Sequence, residues 1–266
     1  AATASIFGVI SANGTQASEV SKGGGAGGSI YLACQVLQGA TNGLLRANGG
    51  SGWSSGSPGG GGRIAVIYDT NAQTGINPGV RFAAARGIGG FSPAYLDAER
   101  DSQDGTVFLP DRSFVAETMK DQLFNGVRLF VPGFTNWSPN NLTLSNCVVT
   151  FCPAGFQLAV SNAILIATNA GLGLNIPNGE LNCGSLTLTN NGSLRIYSGM
   201  TNTTYPDYGA LVNVTGDVSI GPNSWIFPNS DPTNGGSVLF RMNNLTIAAN
   251  GGFDANHRGF ASENGA

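Results

Sequence analysis

Apolar and polar residues alternate over short stretches along most of this chain, as in Ser29-Ile30-Tyr31-Leu32, Arg63-Ile64-Ala65-Val66 and Thr106-Val107-Phe108-Leu109. A period of two turns one face of an extended strand inward and the other outward. Gly-Gly, Asn-Gly and Asp-Gly pairs separate the stretches, and such pairs supply the positive φ angles of tight corners. The pattern predicts an all-β chain of short strands.

The stretches recur. Two small or turn residues followed by an alternating strand occupy residues 27–32, 61–66, 104–109 and 235–240, and 34 residues carry Ile30 to Ile64. Ala-Asn-Gly begins at Ala12, Ala47 and Ala249, the first two 35 residues apart. A third phrase, Leu142-Thr143-Leu144, returns as Leu186-Thr187-Leu188 and Leu245-Thr246-Ile247, with Val218-Ser219-Ile220 as a looser copy. A strand with one apolar face cannot bury it alone; stacking on the next coil buries the face and satisfies the backbone. The reading is a single-stranded parallel β-helix, a β-solenoid with glycine-rich loops. It runs continuously through residues 1–266, with glycine-rich repeats in 1–110 and further coils in 127–266. Ile30, Leu32, Cys34 and Val36 form one inward row, with Tyr31 and Gln35 outward. A β-sandwich shares the short strands, but it needs neither a phrase at fixed spacing nor the glycine runs at 23–28 and 59–62.

Residues 111–126 depart from the pattern. Val115, Met119 and Leu123 fall four apart, Ser113 suits a helix start and Gly126 a stop, so a short helix or a loop packed on the solenoid fits.

Composition narrows the setting. Hydrophobic residues make up 41% of the chain, enough for a core, and charged residues only 10%, against about 25% in ordinary soluble domains. Gly is 41 of 266 residues, roughly twice the usual share. A neutral Asn, Ser, Thr and Gly surface points to a secreted or cell-surface protein. The net charge of −3 leaves no basic patch for nucleic acid, and no apolar run reaches the roughly 20 residues that span a bilayer. Cys34, Cys147, Cys152 and Cys183 are disulfide candidates, with three possible pairings.

Neither end reads as a cap. The chain opens on Ile6-Phe7-Gly8-Val9-Ile10 and closes in a glycine-rich segment containing Phe253 and Phe260. Uncapped coils belong either to a piece of a longer chain or to subunits that cover one another head to tail. Ile6, Phe7, Val9, Ile10, Phe253 and Phe260 are the candidate assembly interface.

The glycine run at 23–28, Ser29-Ile30-Tyr31-Leu32, Ala47-Asn48-Gly49-Gly50, the run at 59–62 and Arg63-Ile64-Ala65-Val66, with 104–109 and 252–259, resemble the glycine-rich repeats of very large secreted bacterial surface proteins of the autotransporter-passenger and adhesin type. The resemblance implies a β-helix outside the cell with a structural or adhesive role. It brings no catalytic residues and no cofactor.

Other constellations are thinner. His257, the single histidine, sits in a polar turn. Asp97, Glu99, Asp101 and Asp104, with Asp111 beyond them, offer oxygen ligands suited to calcium, but they match no calcium loop, and a solvated loop balanced by Arg100 and Arg112 is the plainer reading. Asp207, Asp217 and Asp231 follow no repeat, so a polysaccharide lyase or hydrolase, which gathers carboxylates on one face, is the enzymatic alternative to a non-enzyme. Tyr31, Trp53, Tyr68, Trp137, Tyr205 and Trp225 are aromatics suited to stacking on a glycan or to covering coil edges. Asn13, Asn136, Asn141, Asn191, Asn202, Asn213 and Asn244 begin glycosylation sequons. Together these features predict a structural extracellular subunit or segment of a filament, sheath or adhesin, with a carbohydrate-binding or carbohydrate-cleaving β-helix as the alternative.

Overall fold

The computed structural model describes residues 2–89, 103–202 and 206–259. Among them the fold is all-β: every assigned element is a strand and the strand pairs are parallel. The chain divides into two compact units, Ala1–Val115 with Gln122–Pro132, and Ala116–Asp121 with Gly133–Ala266.

The first unit holds β1 (Thr3–Ile6), β2 (Val9–Ser11), β3 (Ser29–Ala33), β4 (Val36–Gly39), β5 (Leu44–Arg46), β6 (Arg63–Ile67), β7 (Arg81–Ala83) and β8 (Gly105–Phe108); β9 (Thr118–Met119) belongs to the second unit, and β10 (Phe124–Phe130) returns to the first. In one ladder Ile10, Leu45, Phe82 and Phe124 lie side by side; in another Ile30, Ile64, Val107 and Leu129 do. Ile30 thus stands beside Ile64, as their spacing of 34 predicts.

The inward row read from sequence needs one correction. Ile30 is buried and Tyr31 and Gln35 are exposed, but it is Leu37, not Val36, that is fully buried. β3 ends at Ala33 and β4 starts at Val36, so the chain bends at Cys34-Gln35, and a bend resets the two-residue phase. On the side of β4 away from β1, no strand pairs with it among the described residues. Instead the buried Gln73 side chain accepts from the Leu37 N–H at 2.8 Å and donates to the Leu37 carbonyl at 3.0 Å, the two bonds a neighbouring strand would make.

The long segments between strands of this unit are also ordered. Residues 12–28 and 47–62 run out and back, and residues 84–89 run beside them, held by backbone hydrogen bonds. Gly24 and Gly27 donate to Ser57 and Gly60, while Gly25 and Gly28 donate to Thr15 and Ala12. On the next pass Gly49 and Gly52 donate to Ala85 and Ile88, while Gly50 and Trp53 donate to Gly25 and Lys22. Donors serving one neighbour recur every three residues, the period of polyproline II, so each pass bonds to more than one neighbour. Glycine is required by proximity: a Cβ on Gly50 would lie 1.9 Å from the Thr15 carbonyl oxygen. Asparagines extend the stack, since Asn13 Oδ1 accepts from the Asn48 N–H and Asn48 Oδ1 from the Ala85 N–H.

The second unit is built on apolar ladders. Its strands are β9, β11 (Asn136–Trp137), β12 (Leu142–Ser145), β13 (Val148–Phe151), β14 (Gln157–Ala167), β15 (Gly171–Asn175), β16 (Glu180–Thr189), β17 (Ser193–Tyr197), β18 (Ala210–Val214), β19 (Val218–Ile220), β20 (Trp225–Asn229), β21 (Val238–Arg241), β22 (Leu245–Ile247) and β23 (Gly252–Phe253). One ladder runs Leu142, Ile164, Leu186, Val218, Leu245; its companion runs Met119, Leu144, Ile166, Leu188, Ile220, Ile247. The Leu-Thr-Leu phrases are therefore rungs of the same two ladders, with Ile164-Leu165-Ile166 between the first two and Val218-Ser219-Ile220 between the second and third. A second sheet stacks Val149, Leu172, Leu194, Ile226 and Phe253. β14 and β16 each bend where two residues, Ser161 and Asn162, face the single Gly184, a bulge that turns the strand. Corner asparagines take the left-handed conformation at Asn146, Asn169, Asn190, Asn191, Asn223 and Asn250, which asparagine tolerates better than most residues.

Residues 111–126 contain no helix. β9 and the start of β10 flank a turn with Asp121 and Gln122 at positive φ. Phe114 packs edge-on against Phe82 at 5.2 Å, so the loop alternative is the one observed. No helix of the described residues is long and apolar enough to cross a membrane.

Candidate functional site

Cover along the ladders changes abruptly at their outermost described rungs. From Leu142 through Val218, and from Met119 through Ile220, every rung is at most 1% exposed; Leu245 is 46% and Ile247 45% exposed. The chemistry of the rung has not changed, only its cover. β22 pairs with β19 on one side and with no other strand among the described residues. The first unit has the same feature at β2, which among the described residues pairs with β5 alone. Ile10 is 37% exposed at the head of a ladder whose next three rungs are fully buried, and Val9 and Phe7 beside it are more exposed still. Both edges combine an unpaired row of backbone N–H and C=O groups with uncovered aliphatic side chains.

A different site lies on the outward face of β14 and β16. Their parallel register pairs Leu158 with Leu181 and Ala159 with Asn182, with Gln157 and Glu180 each preceding the first pair. The small Ala159 and Gly179 leave a hollow of about 290 Å³, walled by Gln157, Asn178, Glu180 and Asn182. Asn213 Nδ2 donates to Asn182 Oδ1 at 3.0 Å, and Asn182 Nδ2 donates to Glu180 Oε2 at 3.1 Å. This relay fixes the Asn182 amide and the Glu180 carboxylate. Asn178, at φ +54°, is held by its N–H donating to the Gly209 carbonyl at 2.7 Å.

The residues singled out by sequence fall as follows. Ile6 is half-buried while Phe7, Val9 and Ile10 are exposed on one edge. Phe253 is half-buried, edge-on to Phe240 at 5.1 Å. Phe260, Tyr205, Asp97, Glu99 and Asp101 lie outside the described residues. Asp104 accepts from the Arg86 N–H, and Asp111 from the Tyr68 hydroxyl and the Ser113 N–H. No group of three His, Cys, Asp or Glu side chains able to hold a metal occurs among the described residues. Burial pushes the Cys183 thiol up to about 12 and also raises that of Cys34. Cys147 and Cys152 flank the extended β13; at about 3.3 Å per residue their separation exceeds the ~7 Å limit for a disulfide. Of the sequon asparagines, Asn13, Asn136, Asn141, Asn191 and Asn244 are exposed, and Asn202 and Asn213 are half-buried. Trp137 and Tyr68 are buried; Tyr31 and Trp53 stand exposed. His257 is exposed in a turn at φ +57°.

Two things escaped the sequence. Leu245 and Ile247 read as an ordinary repeat phrase, and only the register shows that they are the outermost rung among the described residues. Ala159 carries no signal until its pairing with Asn182 is known. Compared with known proteins, the chain matches no family model, no curated protein and no solved structure.

Proposed function

We propose that each unit is a stretch of β-solenoid and that the protein is a structural subunit or segment of an extracellular filament, sheath or adhesin, self-associating through its open ladder edges. The observation carrying this is the step in exposure from at most 1% to 45% or more along two companion ladders, at Leu245 and Ile247. An uncovered rung in register with buried ones is complementary to another rung of the same kind. A further parallel strand at about 4.8 Å covers the side chains and the backbone edge together. Contacts of this type are heterologous and propagate rather than close. The neutral Asn-, Thr- and Gly-rich surface agrees with a secreted or cell-surface location, and the role is cohesive rather than catalytic.

Electron microscopy and sedimentation of the native protein test this. Fibres or chains of increasing length are expected, and Ile247→Lys, which places a charge on the open rung, returns them to single particles with an unchanged melting curve. Particles that never associate at any concentration overturn the reading, as do fibres indifferent to Ile247→Lys and to a matching Ile10→Lys.

A further inference from the structure

We infer that the hollow over Ala159 and Gly179 is a binding site for a neutral saccharide, a function independent of edge assembly. The argument begins with what the hollow offers. Among the described residues the side-chain amides of Gln157 and Asn178 and the Oε1 oxygen of Glu180 make no hydrogen bond. They converge with Asn182 on one concavity. Each amide carries two donors and an acceptor, and the carboxylate oxygen accepts. A sugar ring, whose hydroxyls both donate and accept, matches this mixture. The volume of about 290 Å³ lies just below the range of drug-sized ligand clefts, roughly 300–1,000 Å³, and suits a single ring with its hydroxyls.

The Asn182 and Glu180 side chains, and the backbones that carry Gln157 and Asn178, are also held before any ligand arrives. Gln157, Glu180 and Asn182 stand on paired strands, the Asn213–Asn182–Glu180 relay sets the orientation of two of them, and the Asn178 turn is bonded to Gly209. Preorganised polar groups on rigid elements lose little entropy on binding.

Other occupants fit less well. Hydrolysis needs two carboxylates flanking the bond, and Glu180 is the one acid among the lining residues, so the site binds rather than cleaves. Calcium takes six to eight oxygens, but Asn182 Oδ1 and Glu180 Oε2 already accept hydrogen bonds within the relay. A uronate would bring its own carboxylate against that of Glu180, and like charges repel.

The test uses the full chain and titration calorimetry with cellotetraose, laminaritetraose, mannotetraose and chitotetraose, with tetragalacturonate and calcium chloride as comparators. One or more neutral tetrasaccharides are expected to bind at one per chain. Glu180→Gln, which keeps the shape and removes the charge-assisted acceptor, lowers affinity about tenfold. Ala159→Trp, an outward substitution that fills the hollow, abolishes binding and leaves the melting curve in place. The inference is overturned if no neutral tetrasaccharide binds, if tetragalacturonate or calcium alone binds, or if Ala159→Trp binds as well as the parent.

Discussion

The two units reach the same parallel architecture by opposite means. In the second, buried leucine, isoleucine and valine rungs repeat along each ladder, and the connecting segments are mostly short. In the first, strands are brief, β2, β5 and β7 having three residues each. Between them the glycine passes of 12–28 and 47–62 bond to one another through the backbone. Apolar burial is non-directional and tolerates substitution of similar volume. Backbone contact at van der Waals range tolerates no added atom. The first unit should therefore be brittle toward small additions, and the second toward deletions.

The sharpest way to break this contrast is Gly50→Ala. The new methyl would sit 1.9 Å from the Thr15 carbonyl oxygen, a backbone atom that cannot swing aside. The Gly25 N–H donates to that carbonyl and the Gly50 N–H to Gly25, so separating the passes breaks a column of bonds. Over-packing of this kind costs about 3 kcal/mol or more. Hydrogen exchange should show the amides of Gly25, Gly50 and Gly59 losing protection while those of Leu172 and Leu194 keep theirs. Unchanged protection would mean that the glycine stack is not what holds the first unit.

Next in size is a pair within one ladder. Leu186→Ala, a fully buried middle rung, should lose about 3 kcal/mol through transfer and cavity effects. Leu245→Ala, on the open rung at 46% exposure, should lose roughly 1 kcal/mol or less in the dispersed protein, because half of its area is already wet. Denaturant midpoints of both variants give the comparison directly. Equal losses would show that the last rung is covered in solution, which would itself favour association.

How much of this was legible beforehand follows from what a period can encode. The spacing of 34 places Ile30 beside Ile64, because register between stacked strands follows repeat length; the Leu-Thr-Leu phrases share ladders although their spacings differ, because the same alternation marks each rung. Corners were harder. Counting twos through Cys34-Gln35 places Val36 inward, but the chain turns there and Leu37 takes the buried place. Gln73 was invisible: a polar residue in an irregular segment gives no sign that its amide will stand in for a missing strand. The glycine runs carry only a loop signal in sequence, since an array bonded every three residues has no apolar pattern to reveal it. The amide hollow joins residues of β14 and β16, and no local window contains them together.

The smallest effect concerns a place where the first unit relies on a polar side-chain contact. Tyr68 follows β6, and its hydroxyl donates to Asp111 Oδ1 at 2.7 Å. Burial, then the bond to Asp111 and the charge of that carboxylate, push the Tyr68 hydroxyl well above its ordinary range. Burial pushes the Asp111 carboxyl up, but the bonds from Tyr68 and Ser113 outweigh it and leave the group below the usual carboxylate range. The two shifts act at opposite ends of the pH scale. Asp111 contributes stability that is present above its unfolded value, about 3.9, and is lost as pH falls through its lower folded value. Tyr68 contributes stability that is complete below its unfolded value, about 10, and is lost as pH rises beyond it. Tyr68→Phe removes both ends at once: the alkaline limb disappears, the acid limb flattens, and the plateau between drops by about 1 kcal/mol for the lost hydrogen bond. Urea midpoints of parent and variant from pH 2 to 11 resolve this as a difference curve that is flat between the limbs. A difference curve flat throughout would mean that this contact adds nothing, and that the first unit rests on its glycine backbone and short ladders alone.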